Sequence, residues 1–240
     1  MGRMEEYVQL MKTAGVGVDD TFRFRCTKCG KCCRYKDDVI MTPFDMYNAA
    51  KRLGVTTREI ASRCTFFMGQ TSFMPLITAD MREEDGVCTF MGDNGCVLGS
   101  MKPGCCSLYP LGRAAELSSG KITYFMQPVD CGAKDEEHTP REWLGEGFAD
   151  GEEFFLKWNT TIGRISEKMR QIFNGGTFGA AIASKAAEML AEPLYLDYST
   201  DEEFTPQFEK NVQTCMDFLD FIEKDLKESH PDIWILAHRD

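Results

Sequence analysis

Four thiols fall within eight residues at Cys26-Thr27-Lys28-Cys29-Gly30-Lys31-Cys32-Cys33, and cysteines recur at 64, 88, 96, 105, 106, 131 and 215 of a 240-residue chain. Thiols are soft ligands that select zinc, copper(I) and iron–sulfur clusters. A C-x-x-C step lets the backbone turn so that two sulfurs reach one metal, with the intervening amides aimed at the thiolates. Cys26, Cys29 and Cys32 make that step twice in succession, as in bacterial ferredoxins, but Cys33 stands where no ferredoxin cysteine does. Adjacent side chains project to different sides of an extended backbone. One of Cys32 and Cys33 is therefore expected to serve a first centre, and the other a second centre or the core.

The later cysteines follow turn sequences. Cys88 ends Glu84-Asp85-Gly86-Val87, Cys96 follows Gly92-Asp93-Asn94-Gly95, Cys105 and Cys106 follow Lys102-Pro103-Gly104, and Cys131 lies between Asp130 and Gly132. Cys64, near the end of an expected helix, and Cys215, beside Met216, Phe218 and Leu219, read as small buried apolar residues. Lys28, Lys31, Arg34 and Lys36 interleave the first thiols, with Arg23 and Arg25 just before them. Positive charge there would lower thiolate pKa values and offset the charge of a tetrathiolate centre.

Histidine occurs at 138, 230 and 238 alone, so a mixed Cys/His zinc site is disfavoured in the cysteine-rich segment. His138, after Asp135-Glu136-Glu137, reads as a solvated loop residue. The sequence offers no Ser/His/Asp or Cys/His nucleophile pattern. Gly175-Gly176-Thr177-Phe178-Gly179 is preceded by no convincing strand, so it reads as a connection between helices rather than a nucleotide loop.

The marks Cys26-x-x-Cys29-Gly30-x-Cys32-Cys33-Arg34, Cys88-Thr89-Phe90, Cys96-Val97-Leu98, Lys102 to Pro110 and Cys131-Gly132 resemble those of the CxxCxxCC (YkgJ-type) cysteine-cluster family, described as zinc- or iron-chelating. The resemblance covers about residues 22–145. The fourth block in that family usually reads Arg-Pro-x-x-Cys-Arg-x-Phe-Pro, which registers Cys106 rather than Cys105 as the family cysteine. This chain has Lys102, Ser107 and Tyr109 at the Arg, Arg and Phe positions. The resemblance implies metal binding by Cys26, Cys29, Cys32, Cys33, Cys88, Cys96, Cys106 and Cys131, and implies no settled activity. These eight thiols could make two four-thiolate centres, or one centre with the rest buried.

An iron–sulfur cluster, of the 4Fe-4S type, is favoured over zinc. The repeated C-x-x-C step is ferredoxin-like, and Phe90, Met91, Val97, Leu98, Leu108 and Tyr109 could shield a cluster from water. Zinc would hold such a loop-rich segment together as well.

Composition is ordinary for a soluble globular protein, and no apolar run approaches a membrane span. The N-terminus carries no signal-peptide core, so a cytoplasmic setting is expected, where thiols stay reduced. Net charge is −11, spread as 17 basic against 18 acidic residues over 1–140 and 10 against 20 over 141–240. That acidic second half argues against nucleic-acid binding.

These sites must be positioned by an α+β fold. A cysteine-rich, metal-bound half with short strands and a hairpin (1–140) is expected before a mostly helical half (141–240), the two sharing one core. Amphipathic spacing predicts a helix over 4–14. Strands are expected over 21–25, 39–41, 72–79, 86–91 and 122–126, the last in a hairpin with 114–117. Thr42-Pro43-Phe44-Asp45 is a helix start, with the stop at Gly54, and the capping box Thr56–Glu59 opens a helix through about Cys64. Helices are expected near 140–147, 150–173, 177–191 and 205–228, with Pro193 ending the third. Three functions compete: an iron–sulfur protein in redox or modification chemistry, with a protein as one candidate substrate or partner; a zinc-binding structural or interaction module; and a metal carrier.

Overall fold

The structure is a computed structural model that describes residues 9–36, 38–70, 72–173 and 176–238. It is 51% helical and 20% strand, with small separate sheets, which makes it an α+β protein. The chain forms two compact units. One contains the described residues up to Val39 together with Met81–Thr160; the other contains Ile40–Asp80 and the described residues from Thr161 onward.

The first unit carries the cysteine segment. Strands β1 (Gly15–Val16) and β2 (Phe22–Arg25) precede it, and residues 9–13 are helical, while the rest of the helix expected from residue 4 lies outside the described residues. The other strands of this unit are β6 (Met91–Gly92), β7 (Gly95–Cys96), β8 (Leu111–Glu116), β9 (Lys121–Met126) and β10 (Ala133–His138), numbered in chain order after three strands of the second unit, at Ile40–Met41, Cys64–Met68 and Pro75–Ala79. β8 and β9 form the expected hairpin, Leu111 opposite Met126 and Glu116 opposite Lys121, and β1 adds to the other edge of β9. β2 pairs antiparallel with β10. The sequence reading missed β10 because Lys134-Asp135-Glu136-Glu137 has no apolar alternation. Backbone pairing with β2 forms the strand, and exposed ion pairs lie across it, Arg25 to Asp135 at 2.7 Å and Arg23 to Glu137 at 3.3 Å. The buried residues Phe22, Phe24, Leu108, Leu111, Tyr124 and Phe148 make the core of this unit, and Tyr109, Cys131 and Trp143 pack against it.

The expected strand over 86–91 is not continuous. Val87 and Cys88 make single bridges to Arg34 and Met81, and only Met91 enters a strand. Its glycine-bearing turn Asp85-Gly86, with Gly86 at φ +65°, spoils a regular ladder.

In the second unit the sheet order is β3–β5–β4, with β3 at Ile40–Met41, β4 at Cys64–Met68 and β5 at Pro75–Ala79. Helix α1 (Pro43–Leu53) begins and ends where expected: Thr42 and Asp45 form a capping box, and Gly54 closes it with a left-handed backbone. Helix α2 spans only Thr57–Ala61, so Cys64 opens a strand rather than ending a helix. Thr65-Phe66-Phe67 carries β-branched and aromatic side chains, and its pairing with β5 outcompetes a continued helix.

The remaining helices are α3 (Gly104–Leu108), α4 (Pro140–Leu144), α5 (Phe148–Phe173), α6 (Gly176–Ala191), α7 (Phe204–Glu228) and α8 (Pro231–Ala237). Asn174 and Gly175 of the expected helix connection lie outside the described residues. Pro193 does not simply end α6. Residues Glu192–Leu196 form a π turn, and backbone acceptors in and beside it are met by side chains: Thr57 Oγ1 donates to the Leu196 carbonyl at 2.6 Å and Asn211 Nδ2 to that of Asp197 at 2.7 Å. Among the described residues no helix is long and apolar enough to cross a membrane.

Candidate metal centre

A cavity of about 750 Å³ lies within the first unit. Its wall holds Cys26, Cys29, Cys32, Cys33, Cys88, Cys96, Cys105, Cys106 and Cys131. All eight predicted ligand positions are therefore brought together from more than a hundred residues of chain, with Cys105 added. Cys64 and Cys215 are in the other unit. Cys215 is fully buried, and Cys64 sits 3.7 Å from Met41 Sδ. All eleven cysteines are thiols rather than disulfide halves.

Local structure explains the gathering. Gly30 at φ +71° lets the chain turn into a 3-10 turn at Lys31–Cys33. That turn places the Cys32 and Cys33 sulfurs 3.8 Å apart, both on the cavity wall, so the alternation expected of an extended chain does not apply. The Cys88 N–H donates to the Cys33 carbonyl at 2.8 Å, and the Met91 N–H to that of Cys88 at 2.9 Å. The tight β6–β7 turn then sets Cys96 opposite Met91. Cys106 lies in α3, just past Pro103 and Gly104. Register in the β2/β10 pair sets Arg25 against Ala133, which brings the first cysteine loop beside Cys131. Lys31 Nζ reaches the Asp130 carbonyl at 3.1 Å and its carboxylate at 3.2 Å.

The electrostatics differ from thiol to thiol. The Lys31 backbone N–H donates to Cys29 and, with Thr27, holds its thiol below the ordinary value. Cys33 is lowered by accepting a hydrogen bond from Cys32, which is itself driven up by donating it and by burial. Burial raises Cys88 and Cys96, and the charges of neighbouring thiolates add to it. Cys131 is also raised by burial, against a hydrogen bond from Tyr109, whose hydroxyl lies 3.3 Å from its sulfur. Thiols in this state cannot all ionise unless a cation offsets their charge.

The basic residues act differently from expectation. Arg23, Arg25 and Lys31 are engaged by Glu137, Asp135 and Asp130. Lys28, Lys36 and Lys102 line the cavity, and the charge of Lys102 lowers both Cys32 and Cys96. Lys102 carried a signal only through the motif it belongs to. Of the expected shielding residues, Phe90, Met91 and Tyr109 are in the wall, and Phe24 and Trp143 join them. His138 is no loop residue. It ends β10, and its ring packs against Phe22 and Trp143.

The donor set fits a thiophilic metal or cluster: nine thiols with no histidine among the wall residues. As the side chains stand, no group of three or more His, Cys, Asp or Glu among the described residues is arranged to hold a metal ion.

Comparison with known families matches residues 25–132 to the CxxCxxCC model, described as "Putative zinc- or iron-chelating domain". The matched span runs from the end of β2 to Gly132, so it takes in every cysteine of the cavity wall. This similarity supports metal binding and leaves zinc and iron equally open. No curated protein and no solved structure matches the chain.

Proposed function

We propose that the matched segment carries iron–sulfur chemistry, its cavity thiolates holding 4Fe-4S-type clusters that pass single electrons in a redox or modification reaction. The number of thiols gathered on one wall carries this reading. Zinc takes four thiolates at about 2.3 Å around a single point. Nine thiols stand in the cavity wall, more than twice what one such ion uses. Phe24, Phe90, Met91 and Trp143 supply apolar wall that limits water, and backbone N–H groups such as that of Lys31 already aim at sulfur. Hydrogen bonds to sulfur and solvent exclusion are the terms that set a cluster's potential. When bound, such a cluster supplies one-electron transfer. The chain's own residues hold it, donate hydrogen bonds to its ligands and exclude water.

Anaerobic purification of the full chain, followed by iron, acid-labile sulfide and zinc analysis with absorption spectroscopy, tests the proposal. Brown protein with iron and sulfide in equal amounts is expected. Colourless protein with stoichiometric zinc refutes it in favour of a structural zinc module.

A further inference from the structure

We infer that the cavity holds two separate four-thiolate centres, one on Cys33, Cys88, Cys96 and Cys106 and the other on Cys26, Cys29, Cys32 and Cys131. The inference rests on the proposed metal-binding reading and adds to it a partition of the ligands, with the neighbours Cys32 and Cys33 assigned to different centres.

The first set is tied together by backbone. Cys88 N–H to Cys33 carbonyl, the Arg34–Val87 bridge, Met91 N–H to Cys88 carbonyl and the Met91–Cys96 strand pair form a continuous run of short links. Within this set every pair of sulfurs interacts electrostatically: Cys33 with Cys88, Cys96 and Cys106, Cys88 with Cys96 and Cys106, and Cys96 with Cys106. Cys106 thus joins from α3 as the fourth member.

The second set is tied together by the β2/β10 register and by Lys31. Arg25 opposite Ala133 brings Cys26, just after β2, near Cys131, two residues before β10. Lys31, between Cys29 and Cys32, straps their loop to Asp130. Cys29, Cys32 and Cys131 again interact pairwise. Cys26 completes the set by its place on the wall and by the C-x-x-C spacing to Cys29. Cys32 and Cys33 join the two groups through sulfurs 3.8 Å apart, so the centres are close neighbours. Cys105, beside Cys106 in α3, is left outside both sets.

The test counts metal in anaerobically purified full-length chains carrying Cys96→Ser, Cys131→Ser, both, or Cys88→Ser with Cys96→Ser. Each single variant is expected to keep half of the wild-type metal. The cross-set double keeps none, and the same-set double keeps half. A cross-set double that keeps as much as either single variant overturns the partition, as does a single variant that is folded by circular dichroism and holds no metal. Where a variant fails to fold, graded chelator stripping of the wild-type chain decides. Two centres per chain, leaving in two equal steps, are expected; one centre per chain, or one step, overturns the partition and leaves the metal-binding reading standing. A wild-type chain without metal overturns both.

Discussion

Replacing Gly132 by Ala tests how tightly the backbone holds Cys131 in place. Gly132 has φ +76°, and a Cβ built there lies 2.3 Å from the Phe24 ring and 2.9 Å from the Arg25 carbonyl oxygen. The left-handed backbone costs an L-residue about 1–2 kcal/mol. The second cost is overpacking, about 1–3 kcal/mol, because Arg25 is paired to Ala133 and Phe24 is buried. The sum is about 2–5 kcal/mol, or roughly 4–20 °C in Tm at about 2–4 °C per kcal/mol for a chain of this length. Gly120→Ala is the control. Gly120 has φ +67° with nothing within 4 Å, so it carries only the backbone cost. Phe24 meets Tyr109 and Trp143 edge-on at 6.2 and 5.7 Å between centroids, so its displacement reaches the cavity wall. Thermal melts and metal analysis of both variants are the assay. Equal melting temperatures for Gly132→Ala and Gly120→Ala would refute the claim that this glycine is required by close contact.

Three further outcomes are expected. Burial pushes the Cys215 thiol up to about 12, so iodoacetamide leaves it unmodified in the native chain and labels it only in urea; labelling within minutes under native conditions contradicts its burial. Lys168 lies 2.5 Å from both Asp220 and Glu223, which raises the lysine above its ordinary value and holds the Glu223 carboxylate below its own. Glu223 therefore stabilises the fold above about pH 4.5 and loses that contribution as pH falls through its lowered pKa, while Lys168 loses its share only as pH rises past about 10.5. Glu223→Gln should cost about 1 kcal/mol in urea melts at pH 7 and nothing at the acid end; a pH-independent difference would count against the ion pair. Tyr109→Phe removes the hydroxyl beside Cys131. A hydrogen bond to a charged acceptor is worth about 1.5–3 kcal/mol, so the potential of a centre held by Cys131 should fall by tens of millivolts and at most about 130 mV, read by redox titration. An unchanged potential would place Tyr109 outside the ligand sphere.

Local chemistry made much of this fold legible. Thr42, Pro43, Asp45 and Gly54 specify α1 through contacts within a few residues, and the β8–β9 hairpin follows from the apolar run at 122–126 and the turn before it. The cysteine cavity was legible for a different reason, since thiol spacing reports chemistry without specifying the elements that carry it. What stayed hidden depends on distant partners. β10 pairs with β2 across more than a hundred residues of chain, with Arg23 and Arg25 facing its carboxylates, and the strand at Cys64–Met68 pairs with β5. The 3-10 turn that sets Cys32 beside Cys33 depends on Gly30, whose left-handed backbone the sequence permits but does not announce. Lys102 and Trp143 reach the cavity only through tertiary packing.

Native mass spectrometry of the anaerobically purified chain tests most directly whether the gathered thiols grip inorganic centres. The expected spectrum shows the 240-residue chain carrying a mass excess made of iron and sulfide, reduced when Cys29 is replaced by Ser and kept whole when Cys215 is. A bare chain, or an excess equally sensitive to both replacements, contradicts it.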